Sequence, residues 1–166
     1  MSNTRRSRII AIAIGFALAF AVGLTWATPG SGTQSMLLGR ATYGEAFKVK
    51  RKAPALDWEV EVEAKPALDV AVQMITFQPG GHSGWHSHPG PVFISVVAGE
   101  MTFYEADDPS CAPVVRHAGQ GFLDTGAHAH IARNETTAPA TNVVTYFVPP
   151  GSPLRTDAPN PGNCPF

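Results

Sequence analysis

The stretch GGHSGWHSHPGPVFISVVAGEMTFY, Gly80 to Tyr104, places three histidines, His82, His86 and His88, within seven residues and then runs into an apolar segment. PVFISVVAG is apolar on both faces, and MTFYEA follows it after Gly99-Glu100, so the stretch predicts two strands separated by a turn. Residues two apart on a strand point to the same side, so His86 and His88 present two imidazoles to one face.

The same texture extends outward. DWEVEVEA puts Trp58, Val60 and Val62 on one face and acids on the other; DVAVQMITF is apolar on both faces; GFLD, HAHIARN and TNVVTYFV follow the central stretch. Pro79-Gly80-Gly81, Pro89-Gly90-Pro91, Asp107-Asp108-Pro109, Gly119-Gln120-Gly121 and Thr125-Gly126 punctuate these runs. No amphipathic helix is evident after the N-terminal segment. Many short strands with frequent Gly and Pro predict an all-β sandwich or barrel. A length of 166 residues suits one domain. We expect a leader over 1–27, a linker over 28–35 (TPGSGTQS), a barrel over 36–150 and a Pro/Gly-rich tail over 151–166.

All six histidines, His82, His86, His88, His117, His128 and His130, fall between residues 82 and 130. His128 and His130 form a second H-x-H pair that shares one face if its segment is extended. Neutral imidazole is a common ligand for divalent transition metals, and three convergent histidines already define a site. His82 lies in a Gly-rich turn and His117 on an exposed-looking strand, and neither is expected to ligate.

At these residues the sequence resembles the cupin superfamily. From Gly80 to Gly99 it is similar to the first cupin motif, with Gly80, His86, His88 and Gly99 in register, and from Gly119 to Asn134 it is similar to the second, with Gly119, His130 and Asn134 in register. The resemblance spans roughly residues 68 to 150. It implies a small cupin β-barrel, a double-stranded β-helix or jelly roll, with His86, His88 and His130 as metal ligands and Asn134 closing the second motif without binding metal. Two positions depart from the pattern. The acid of the first motif falls on Val92, and Thr125 and Ala127 replace the usual proline and glycine of the second. Without that acid the ligands are all neutral, which suits an anionic substrate or open positions for water or dioxygen; alternatively His128 becomes a fourth ligand. The metal is one of Fe, Zn, Mn, Ni or Cu. Cupin barrels also serve as metal-free scaffolds. Three histidines in an interior lined by Phe77, Phe93, Phe103 and Phe122 would nevertheless lack partners, and a metal satisfies all three at once.

Arg5, Arg6 and Arg8 precede an uninterrupted apolar run from Ile9 to Leu24 and the small-residue boundary Thr25-Trp26-Ala27, the pattern of a signal peptide or an uncleaved membrane anchor. Either places the folded part outside the cytoplasm, secreted, periplasmic or in the cell envelope. Setting those three arginines apart from the twelve basic residues leaves nine against thirteen acidic ones, a formal −4, which disfavours nucleic acid as a partner. The one basic run, KVKRK at 48–52, reads as a hairpin strand facing DWEVEVEA, with Lys52 opposite Asp57, Lys50 opposite Glu59 and Lys48 opposite Glu61. Cys111 and Cys164, in an oxidising compartment, suggest a disulfide tying the tail to the loop DDPSCAP; two free thiols are the alternative.

The expected function is an exported cupin binding one divalent transition metal and acting on a small molecule, as an iron-type dioxygenase by family analogy. A non-catalytic metal- or ligand-binding envelope protein is the alternative. A small molecule is the expected partner, a membrane only through an uncleaved leader, and a homodimer by analogy with other cupins.

Overall fold

The computed structural model describes residues 27–65 and 67–166. The leader therefore lies, apart from Ala27, outside the described residues.

Twelve strands run in the order β1 (Ser31–Tyr43), β2 (Phe47–Ala53), β3 (Trp58–Ala64), β4 (Leu68–His82), β5 (His86–Ser87), β6 (Val92–Ala98), β7 (Glu100–Glu105), β8 (Val114–His117), β9 (Gly121–Asp124), β10 (His130–Arg133), β11 (Ala140–Val148) and β12 (Thr156–Asp157). Among the described residues there is no α-helix, only a 3-10 turn at Pro54–Leu56. Ten strands form one sheet that curls into a nearly closed barrel. Its path runs β12-β5-β10-β4-β11-β6-β9, with β1 on the free side of β4, and β7 joining β10 to β8. The fold is all-β, as the turn-rich sequence predicts.

Alternation decides which side chains enter the barrel. Along β11, Ala140, Asn142, Val144, Tyr146 and Val148 point inward; along β6, Val92, Ile94 and Val96 do so. Together with Ala71, Phe77, Met101, Phe103 and Ala132 they form the main core. Each large apolar side chain among them contributes ~1.5–3 kcal/mol on burial. The expectation that Phe93 lines the interior is overturned. It sits between inward Val92 and Ile94, is half exposed, and packs on the outside against Phe147, with ring centroids 5.4 Å apart. Phe77 and Phe103 are buried, and Phe122 stacks on Phe103 at 4.3 Å.

The predicted linker is also corrected. Ser31–Ser35 belong to β1, which pairs antiparallel with β4 from Ser31 opposite His82 to Tyr43 opposite Leu68. Gly, Ser and Thr read as loop because they bring no apolar face. An edge strand, however, can be held by backbone hydrogen bonds alone, with Gly32 absorbing a register shift near the start. Asp69 fastens β1 from inside: its carboxylate accepts from Thr42 Oγ1 and Arg40 Nε, each at 2.6 Å, and from the Gly151 N–H at 3.0 Å. The Thr42 and Gly151 donors hold its carboxyl down at about 2 against the effect of burial.

The β2–β3 hairpin forms a separate two-stranded sheet. Its register differs by two residues from the sequence expectation: Lys52 faces Glu59, Lys50 faces Glu61 and Lys48 faces Glu63, with Ala53 opposite Trp58. The connection has the expected four residues but is displaced by one, 54–57 in place of 53–56, because the 3-10 turn is closed by Asp57 in the left-handed region at φ 48°. The ion pairs nevertheless reach diagonally to the expected partners, Lys50 to Glu59 at 2.5 Å and Lys48 to Glu61 at 2.7 Å. These pairs are solvent-exposed and contribute little individually. Trp58, half exposed, shares the apolar face with Val60 and Val62 and enters neither core cluster. Trp58→Ser is therefore expected to change stability by no more than ~0.5 kcal/mol in a denaturant titration; a loss of several times that would mean that a second copy covers this face.

Candidate metal centre

His86 opens β5 and His130 opens β10, and the two strands pair antiparallel with these residues directly opposite each other. His88, two residues beyond His86, turns to the same side. All three are buried, with ring centroids 4.5 Å (His86–His130), 4.8 Å (His86–His88) and 5.2 Å (His88–His130) apart. One ring nitrogen from each lies within 4.8 Å of the others. Three nitrogens up to 4.8 Å apart lie up to ~2.8 Å from a common centre, so inward shifts of at most ~0.7 Å by each ring bring all three to the ~2.1 Å bond length of one ion.

The surroundings set the tautomers. His86 Nδ1 lies 2.8 Å from the Gly84 carbonyl and His88 Nδ1 lies 2.6 Å from the Leu154 carbonyl. A carbonyl only accepts, so each Nδ1 carries the proton and each Nε2 offers a lone pair, the outer-shell arrangement of a metal-ligating histidine. Gly84 is required for this: at φ +70° it is left-handed, and a Cβ there would sit 2.0 Å from the Thr28 carbonyl oxygen. Burial pushes the His86 imidazole down to about 2, helped by the His130 and Arg155 charges, and His130 down to about 3; His88 is lowered by burial too. Near neutral pH the three rings are uncharged, as ligands must be.

The other histidines stand apart. His128 is not brought to the cluster: its side chain is 60% exposed and its Nδ1 lies 3.6 Å from Asp107. Residues 126–128 form a bend before β10 starts at His130, so the two-residue alternation that would align His128 with His130 does not apply. His117 is exposed beside Glu100, 3.0 Å away, and His82 Nδ1 accepts the Gly84 N–H at 3.2 Å. Asn134 is buried but spends its amide on the Phe77 and Ala138 carbonyls, closing the strand away from the cluster.

Four features were not read from the sequence. Asp124, at the end of β9, is 4% exposed and turns its Oδ2 toward the cluster, 3.4 Å from His130 Nδ1 and 3.7 Å from His88 Nε2. Strand alternation from Phe122, placed in the interior by its apolar character, was the signal that could have found it. The second feature is the tail, which supplies the Leu154 carbonyl and Arg155. The third is Tyr146, buried on β11, whose hydroxyl donates to Gln73 Oε1 at 2.8 Å. The fourth is a small cavity of ≈ 120 Å³ over His86 and His88, walled by Gln73, Ile75, Ser83, Tyr146 and Arg155. Burial raises Tyr146 to about 12, so it keeps its proton. Behind the cluster, burial and the neighbouring Asp124 and Asp107 charges raise the Glu105 carboxyl to about 7.

Whether the residues fit a metal is decided by their unmet polar atoms. His130 Nδ1 and Asp124 Oδ2 are both buried without a hydrogen-bond partner. Leaving such atoms unpaired is costly, and a cation among them removes the deficit. The set fits.

The cupin domain family matches residues 73–146, the segment from the middle of β4 to the inward Tyr146 of β11. The barrel is a cupin domain. Among solved structures, this cupin is similar to a double-stranded β-helix protein from Klebsiella pneumoniae (18% identity, covering 70% of this chain and 86% of that one, TM-score 0.46). It is also similar to the cupin domain of an XRE-family transcriptional regulator from Enterobacter cloacae (15% identity, 72% and 99% covered, TM-score 0.45) and to a cupin superfamily protein from Desulfitobacterium hafniense (10% identity, 63% and 81% covered, TM-score 0.43). No curated protein matches the chain.

Proposed function

We propose that this chain is an exported cupin that holds one divalent transition metal through His86, His88 and His130 and acts on a small anionic organic molecule, as a dioxygenase. The observation that carries the reading is the convergence of three buried, neutral imidazoles, two of them with the tautomer fixed by a backbone carbonyl. When bound, the metal supplies a Lewis-acid or redox centre. The chain's own residues do the rest. Apolar walls at Ile75, Phe77, Ile94 and Val144 exclude water, and Tyr146, holding its proton, donates to a bound oxygen atom by turning its hydroxyl away from Gln73 Oε1. Arg155, at the mouth, donates Nη1 to the Ser83 carbonyl and pairs through Nε with Asp157, and its planar guanidinium would take an incoming carboxylate by sharing or exchanging that pair. The disulfide between Cys111 and Cys164 supports export to an oxidising compartment, as does the basic and apolar N-terminal pattern; recovery of the chain in the cytoplasmic fraction would remove that part.

Elemental analysis after purification at native metal levels tests the metal, and oxygen consumption with diketones, flavonols and thiols tests the reaction. The second reading, a non-catalytic binder, is favoured by one observation: among the described cavity residues no base stands apart from the histidine cluster and its neighbour Asp124. Silence across that panel with metal bound would select it. For the anion subsite, Arg155→Gln is expected to weaken acetate or pyruvate binding to the metal-loaded protein ~10-fold or more, the worth of one charge-assisted hydrogen bond. Metal content should stay unchanged, and equal anion affinity in the variant would remove Arg155 from the site.

A further inference from the structure

The first motif lacks its acid because Val92 occupies the position. β6 pairs with β9, and the residue directly across from Val92 is Asp124. Residues opposite each other on paired strands project to the same face with Cβ atoms ~4.5–5.5 Å apart. The carboxylate missing from one strand is therefore supplied at the same level of the barrel by its neighbour.

We propose that Asp124 is the carboxylate ligand of the metal centre, coordinating through Oδ2. The inference rests on the three-histidine reading and extends it. Oδ1 accepts the Gly126 N–H at 2.9 Å, which fixes the carboxylate plane and leaves Oδ2 directed inward. Gly126 can make that turn only as glycine: its φ is +81°, and a Cβ would meet the Gly90 carbonyl oxygen at 2.6 Å. Oδ2 then has no hydrogen-bond partner although the residue is almost wholly buried. Its separations from His130 Nδ1, 3.4 Å, and from His88 Nε2, 3.7 Å, are those of donors around one ion, although Asp124 does not lie within 4.8 Å of all three imidazole donors and must close on the cluster when metal binds. Donors ~2.1 Å from one tetrahedral cation lie ~3.4 Å apart. His88 Nε2 is the nitrogen left free by the Leu154 carbonyl, so the atom facing Asp124 is the one available to metal. The centre becomes three nitrogens and one oxygen, with a net charge of +1 for a dication in place of the +2 of an all-histidine set.

The test is cobalt(II) binding to the full chain and to Asp124→Asn, which keeps the shape and the acceptor for Gly126 but loses the charge. Competition against a chromophoric chelator should show affinity reduced by more than ~100-fold, beyond the 10–100-fold typical of a residue that only orients a ligand. The visible spectrum of the cobalt-loaded variant should also change, since one oxygen donor is lost. Without metal the variant should melt at or above the wild type, because it removes an unpaired buried carboxylate; with saturating metal it should melt below it. Equal affinity, or a weakened affinity with an unchanged cobalt spectrum, overturns the assignment, the latter by reducing Asp124 to a positioning residue for His130. Should the variant not fold, a crystal structure of the cobalt-loaded wild type decides: an Asp124 oxygen at ~2.0–2.2 Å from the ion supports the assignment and one beyond ~3 Å overturns it. A wild type that binds no cobalt overturns the three-histidine reading together with this one, whereas tight binding indifferent to Asp124→Asn overturns this one alone.

Discussion

The double variant His86→Ala, His88→Ala is expected to retain no metal through purification, while its far-UV circular dichroism remains that of the folded barrel. Apparent zinc-binding free energies of ~10–16 kcal/mol over four ligands imply ~3 kcal/mol for each, so losing two weakens binding by ~10⁴-fold. The barrel should survive because its core, from Ala71 through Phe103 to Val148, is built without these imidazoles. The cost falls on the Gly84 and Leu154 carbonyls, each left without its donor, at ~1–3 kcal/mol apiece. A second readout comes from acid. In the folded, metal-free protein His86 and His130 take up protons only near 2 and 3, whereas unfolded histidines do so below 6.5. Between those values the unfolded state binds more protons, so stability falls as pH falls, by up to ~1.4 kcal/mol per pH unit for each such group. Removing His86 and His88 should flatten this dependence between pH 6.5 and 5 in urea titrations of metal-free protein. Full metal retention in the double variant would refute the ligand assignment.

What the sequence reveals and what it conceals divide along one physical line. Strand identity depends on local composition and period, and GFLD is a strand at its expected bounds, Gly121–Asp124, while PVFISVVAG and TNVVTYFV lie on β6 and β11. The inward faces of His86 and His88 follow from the same two-residue period. Features that depend on pairing between distant strands are invisible along the chain. The motif's acid is sought by counting residues from Gly80, but Asp124 reaches the same level by lying across from Val92. β1 escapes notice because backbone pairing with β4, not apolar side chains, makes it a strand. His128 misleads for the opposite reason: its spacing from His130 suggests one face, and a bend at 126–128 cancels the alternation on which that rests. The hairpin register slips because the four-residue turn spans 54–57 rather than the expected 53–56, and its position is set by a left-handed φ at Asp57 that composition does not announce.

Reduction of Cys111–Cys164, or the variant Cys111→Ser, Cys164→Ser, is expected to destabilise the protein and weaken its grip on metal together. The bond closes a segment of 53 residues, for which loop-closure entropy gives ~4 kcal/mol, with ~2–4 kcal/mol typical in practice. Its local setting is firm: the Cys111 N–H donates to the Asp108 carbonyl at 3.1 Å, and Asn163 Nδ2 donates to the Glu105 and Asp108 carbonyls at 2.9 and 2.6 Å. Cys164 packs with Trp85, Tyr104 and Ile131 in a second core on the outer side of the barrel, so Trp85, next to the first ligand, is buried beneath the tail. From there the tail runs back through β12, which pairs with β5 at His86 and Ser87, to the Leu154 carbonyl that holds His88 Nδ1. The bridge therefore acts on the metal through a chain of contacts. Freeing the tail releases β12, then the acceptor that fixes the His88 tautomer, at a cost of ~10–100-fold in affinity as for other outer-shell partners. Urea titration of metal-free protein with and without dithiothreitol measures the first effect, and chelator competition on the double serine variant the second. A variant that loses stability but binds metal unchanged would show that β12 and Leu154 stay in place without the bridge, because the β5 pairing and the Ala158 N–H to Trp85 carbonyl bond, 2.9 Å, suffice to hold them.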